Sequence, residues 1–134
     1  MSNITHVINT DKNLKILKKT VHASDMDQLL SSSGPFTFFA PSDFAFEKLK
    51  KEMIEDLLEP QNRPKLADLI KNHVVSGKIP FKELKDGDEL KTVNGKTLVV
   101  QVQNGTVNIG DATIHAREAK ISNGIIHSMD KVML

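Results

Sequence analysis

The residues of this chain that could do chemistry are few and widely spaced. Its five histidines, His6, His22, His73, His115 and His127, are too far apart in sequence to set two ligands on neighbouring turns of one helix. A preformed zinc centre is therefore not expected. The chain has no cysteine, which removes thiolate nucleophiles, zinc-thiolate sites and disulfides together. Asp86-Gly87-Asp88-Glu89 has the charge to attract calcium but not the ligand spacing of a calcium-binding loop, and it reads as a turn. Ser31-Ser32-Ser33 lacks the Gly-x-Ser-x-Gly setting that strains a serine into reach, and no glycine-rich phosphate cradle appears, so no cofactor is expected.

One hydrolytic combination is conceivable, Ser42, His73 and Asp43 brought together through space. Against it, Ser42 and Asp43 have an economical use as helix caps, and nothing signals an oxyanion hole. His73 follows Leu66, Leu69 and Ile70 at i, i+3, i+4 and i+7 on one helical face. That spacing predicts a buried, hydrogen-bonded neutral imidazole, with Ser42 and Asp43 as candidate partners, in competition with a catalytic or ligand-binding role.

The elements that would position these residues are organised around Gly34 to Leu49, GPFTFFAPSDFAFEKL. Phe36 to Phe39, bounded by Gly34-Pro35 and Pro41, reads as a buried strand, and Ser42 or Asp43 caps a helix starting at Phe44. Phe36, Phe38, Phe39, Phe44 and Phe46 all lie here, so the segment is expected to insert into the core. Before it, Ile4, Val7 and Ile8, then Leu14, Leu17 and Val21, fall at helical spacing, and Ser24 with Asp27 resembles a capping box for a third short helix. After it, Met53, Ile54, Leu57 and Leu58 mark another helix, and Pro64 opens one more. From Val74 the period changes to two. Asn94-Gly95 and Asn104-Gly105 predict hairpin turns in an antiparallel meander, with Leu98, Val100 and Val102 on one face. Thr113 to Glu118 and Ile125 to Leu134 read as the closing strands, with Phe36 to Ala40 and Ile125 to Val132 as core strands. Helices gathered ahead of a mostly antiparallel sheet predict an α+β fold.

Three segments in order resemble the fasciclin domain family. The opening segment carries the threonine-aromatic run and then Phe-Ala-Pro, a hydroxyl residue, Asp and Ala-Phe, here Thr37, Phe39, Ala40, Pro41, Ser42, Asp43, Ala45 and Phe46. The middle segment, Leu69 to Lys78, has His73 followed by two valines and a glycine. The closing segment, NGIIHSMDKVML, supplies Asn123, Gly124, Ile126, His127 and Asp130. The resemblance implies a wedge-like, largely antiparallel β-sandwich with helices along one edge, filling residues 1–134 as one domain. It further implies a noncatalytic adhesion or matrix-interaction module for a protein or glycan, acting as a monomer outside the cell or at its surface. In that family the middle histidine is usually preceded by Tyr, in a segment implicated in receptor contact. Here the preceding residue is Asn72, which leaves Asn72 and His73 as possible interaction residues without the Tyr-His pair.

Bulk properties narrow the partners. The formal net charge is +1, with Arg63 and Arg117 the only arginines and no Trp or Tyr. A global basic field and the usual stacking groups are missing, so nucleic acid is not an expected partner. No apolar run approaches the about 20 residues that span a bilayer, and Met1 to Asn9 lacks the pattern of a secretory leader. An intracellular structural or regulatory domain is thus the alternative to the adhesion reading, with a small hydrolase a third. Asn3-Ile4-Thr5 and Asn104-Gly105-Thr106 would be glycosylation acceptors only on a eukaryotic secretory route.

Overall fold

The structure, a computed structural model, describes residues 3–133, with the backbone alone for residues 116–120. The helical half runs α1 (Ile4–Thr10), α2 (Lys15–Ala23), α3 (Asp27–Ser31), then after strand β1 (Phe36–Pro41) come α4 (Asp43–Glu47), α5 (Lys51–Leu57) and α6 (Arg63–Lys71). The sheet continues through β2 (Val74–Ser76), β3 (Glu89–Lys91), β4 (Thr97–Gln103), β5 (Thr106–Ile109), β6 (Ala112–Ile121) and β7 (Gly124–Met129).

The strand order is β2-β1-β7-β6-β5-β4-β3. β1 and β7 pair in parallel, from Phe36 opposite Gly124 to Pro41 opposite Met129, while every other pair is antiparallel. All six residues of β1 are buried, because its two faces serve two cores and successive side chains point to opposite sides. Phe36, Phe38 and Ala40 pack with Ile4, Ile8, Leu17, Val21 and Leu30 of the helices. Phe39 packs on the other side with Val75, Leu98, Val100, Val107, Ile109, Ile114 and Met129. Burying each of these Phe rings contributes about 1.5–3 kcal/mol.

The ends of the sheet meet. Val75 bridges Thr92, and the Val93 amide donates to the Val74 carbonyl at 2.9 Å. The sheet is therefore curled nearly into a barrel around the Phe39 core, where the resemblance implied a wedge-like sandwich. Edge strands that meet in this way cover each other's unpaired backbone groups. The α+β class and the helices against one side of a mostly antiparallel sheet are as expected, with β1–β7 the parallel exception.

Several local expectations are corrected. Phe44 is 61% exposed, since the one-turn helix α4 turns Ala45 and Phe46 inward, and the Lys48 ammonium lies 4.5 Å over the Phe44 ring instead. The Ser24–Asp27 capping box does not form. Ser24 bonds back to the Thr20 and Val21 carbonyls, and α3 starts without a side-chain cap. Helix α5 buries none of its residues fully, and Met53 is 40% exposed. The last strand ends at Met129, not at Val132 or Leu134; Leu134 lies outside the described residues. Asn104 and Gly105 both take positive φ, as the favoured two-residue hairpin requires, whereas at Asn94-Gly95 only Gly95 does.

At Gly124 the backbones of β1 and β7 leave no room for a side chain. A Cβ on Gly124 would collide with the Phe36 carbonyl oxygen, whereas one on Gly105 would meet open space. Gly124→Ala is accordingly expected to destabilise the protein by about 3 kcal/mol or more in urea unfolding. Gly105→Ala should incur only the positive-φ penalty of about 1 kcal/mol. Equal losses in the two variants would contradict the tight β1–β7 contact.

Candidate functional site

The polar residues of the three matching segments converge on the seam between β1, β7 and the helices. Asn123, 5% exposed, uses its whole amide. Its Oδ1 accepts from the Ile4 amide at 3.0 Å, and its Nδ2 donates to the Leu30 and Ser32 carbonyls, each at 2.8 Å. Its own carbonyl accepts from Phe36 N at 2.9 Å. One side chain thus ties the start of α1 and the end of α3 to the β1–β7 pair. On the barrel side, the Thr37 hydroxyl donates to the Gly77 carbonyl at 2.7 Å and accepts from Ile79 N at 2.9 Å. His127 Nε2 lies 2.7 Å from the Ile79 carbonyl and must donate to it. The ring of His127 stacks on Phe39, with centroids 5.5 Å apart, and Phe81 tilts against it. Thr37 and His127 therefore hold the 77–79 loop from two adjacent strands.

Ser42 and Asp43 act on different helices. Ser42 Oγ accepts from Ala45 N and caps α4. Asp43 Oδ1 accepts from Ile16 N at 2.9 Å, on α2, whose own N-cap Leu14 has no side-chain oxygen to offer. Pro41 completes β1, and Ala40, Ala45, Phe46 and Ile126 fill the core behind these caps. Asp130 accepts from Thr113 N at 2.7 Å, and its carbonyl takes a bond from Lys48 Nζ. That side chain ends β7 and fastens it to β6.

His73 is 1% exposed. Its Nδ1 donates to the Leu69 carbonyl at 2.7 Å, and its Nε2 accepts from Met133 N at 3.0 Å. The partners are backbone groups, not the expected Ser42 and Asp43: α6 ends at Lys71, so His73 lies in the turn after the helix rather than on its face, and its imidazole turns back to the Leu69 carbonyl and to the Met133 amide. Both ring nitrogens are engaged, so His73 has no nitrogen left to activate Ser42, and the three residues of the conceivable triad are not brought together. Asn72 is half-buried and accepts from Asn94 Nδ2 at 3.0 Å. Among the described residues no cluster of histidine and acidic side chains could hold a metal ion, and no helix is long and apolar enough to cross a membrane. Residues that the sequence reading passed over are Lys12, Lys15, Lys18 and Lys19, which line a groove beside α1 and α2. The signal was there as four lysines within eight residues of a nearly neutral chain.

Burial lowers the pKa of His73 from 6.5 to about 4; the Leu69 carbonyl pulls the other way, and nearby Lys96 adds to the lowering. Protonation would also place an Nε2–H against the Met133 N–H. A group whose folded pKa is depressed in this direction binds protons more readily in the unfolded chain, so stability is fully present above pH 6.5 and falls as pH drops toward 4. The slope from this group is about 1.4 kcal/mol per pH unit inside that window. In His73→Gln this part of the slope should vanish when urea unfolding is compared at several pH values between these limits. A variant with the parent's full slope would contradict the assignment.

The family model for the Fasciclin domain matches residues 12–134. The chain is 37% identical over 131 residues to the Synechocystis protein sll1483, covering 98% of this chain and 72% of that one. It is 30% identical over 135 residues to the transforming growth factor-beta-induced protein ig-h3 of Sus scrofa, covering 99% of this chain but only 19% of that much longer relative. Among solved structures, a FAS1 domain pair from the insect cell adhesion molecule Fasciclin I superposes with a TM-score of 0.86 at 16% identity, over 99% of this chain and 51% of that one. The two agree in fold. Matched over most of its length by the family model and over nearly all of it by relatives, the chain belongs to the fasciclin domain family.

Proposed function

We propose that the chain, as one domain over residues 1–134, is a noncatalytic adhesion or matrix-interaction module. It acts as a monomer outside the cell or at its surface and meets a protein or glycan partner through exposed loops and strand edges. The observation that carries this reading is where the polar groups of the matching segments point. Thr37, Ser42, Asp43, His73, Asn123 and Asp130 are each bonded to backbone groups of the same chain. Side chains so engaged hold a frame and leave contact to the surface around it. Support also comes from the solved relative in fold, which belongs to a cell adhesion molecule.

On this reading His73→Ala strands the Met133 amide and opens a cavity, so it should lower the melting temperature by several degrees and reduce adhesion only as far as folded protein is lost. Asn72→Ala should melt like the parent. Adhesion to immobilised matrix proteins and to cells, measured beside thermal unfolding, checks both. A His73→Ala protein that melts like the parent yet no longer adheres would make His73 a contact residue. A hydrolytic activity abolished by Ser42→Ala in folded protein would overturn the noncatalytic reading.

A further inference from the structure

The groove between α1 and α2 has a chemistry that stability does not explain. It offers about 600 Å³, and beside its four lysines, Lys12, Lys15, Lys18 and Lys19, it is lined by Asn9, Thr10, Asp11 and His22. All four lysines are exposed, and among the described residues none has a carboxylate within ion-pair distance. The acids that follow α2 are already engaged, Asp27 with His22 at 3.7 Å and Asp25 with Arg63 at 3.4 Å. Three of the lysines, Lys15, Lys18 and Lys19, stand on the first two turns of α2, whose start is capped by the Asp43 carboxylate through Ile16 N. Lys15, Lys18 and Lys19 fall at i, i+3 and i+4, so these like charges repel one another on one face of the helix. A cluster kept against local preference is better explained by what it attracts.

We infer that this groove binds an acidic polysaccharide, its lysines meeting carboxylate or sulfate groups and its amide and hydroxyl side chains meeting sugar hydroxyls. The inference rests on the adhesion reading above and deepens it. Composition selects the class. The lining has no Arg for bidentate phosphate contact and no Phe, Tyr or Trp for base stacking, and its one imidazole, His22, is bonded to Asn9, which argues against nucleic acid. It has no apolar side chain to enter a bilayer, which argues against an anionic membrane. Asn9 is held in place by its bond to His22 Nε2 at 2.8 Å, and Thr10 by bonds back to His6 and Val7, so the polar lining is ordered around the charges.

The test measures binding of the whole chain to heparin and to alginate of matched length. Neutral dextran, inorganic sulfate, single-stranded DNA and phosphatidylserine vesicles serve as comparisons. The parent is expected to bind one or both acidic polysaccharides, with affinity falling steeply as salt is raised. Substituting Lys12, Lys15, Lys18 and Lys19 by Gln should weaken that binding by about tenfold or more without lowering the melting temperature. The same four-charge change at Lys78, Lys82, Lys85 and Lys91 should leave it nearly intact. Comparable losses in the two variants, no binding to either polysaccharide, or equally tight binding of DNA, vesicles or free sulfate would each overturn the inference. Adhesion to matrix proteins that persists in the groove variant would leave the adhesion reading standing, so the two fail separately.

Discussion

The parallel pairing of β1 with β7 is the constraint on which the rest of the molecule depends. It joins the opening and closing segments of the chain, and because β1 is buried on both faces it separates two cores that share one strand. Every antiparallel pair but one follows from a hairpin or a neighbouring strand. The parallel pair brings together residues 88 apart in sequence, from Phe36 to Gly124. Such a contact carries a large loop-closure entropy, and it forms only because several specific groups reward it together. Gly124 lets the backbones approach, Asn123 satisfies four backbone groups around the junction, and Phe38 and Phe39 fill the cores on either side.

The matching segments form a frame because their polar side chains are satisfied inside it. Asp43 supplies α2 with the cap that Leu14 cannot, and Asp130 ends β7 while holding β6. His73 fixes the chain end through Met133, and Thr37 with His127 fixes the loop that leads away from β2. Each bond contributes only about 1 kcal/mol net, but leaving any one partner buried and unsatisfied costs more than the bond itself contributes. Those polar groups are thereby used up inside the frame, whereas the four lysines of the α1–α2 groove stand exposed.

Much of this was legible in the residues. The change from helical to alternating period near Val74, the Asn104-Gly105 hairpin, the Leu98, Val100 and Val102 face, and the burial of His73 follow from local spacing alone. What was not legible depends on distant partners. A strand buried on both faces shows no period of two, so nothing in Phe36 to Pro41 announces a parallel neighbour. The meeting of Val74 with Val93 that curls the sheet is a property of accumulated twist, not of either segment. Ser42 caps its own helix, as local reasoning expects, but Asp43 caps a helix 27 residues away. Phe44 was read as core because it is aromatic, whereas a helix of one turn has an outer side that something must occupy. The lysine groove was hidden by a net charge near zero, since a global sum conceals a local cluster.

Native-state hydrogen exchange tests the dependence on the β1–β7 pair most directly. The amides to follow are Phe36, which donates to Asn123 O, together with those of β7. If the pair is the element on which both cores depend, these amides exchange only through global unfolding, with an opening free energy equal to that from urea denaturation. Exchange of the β1 and β7 amides through a smaller opening, while the amides of α2 or β4 stay protected to the global limit, would contradict it.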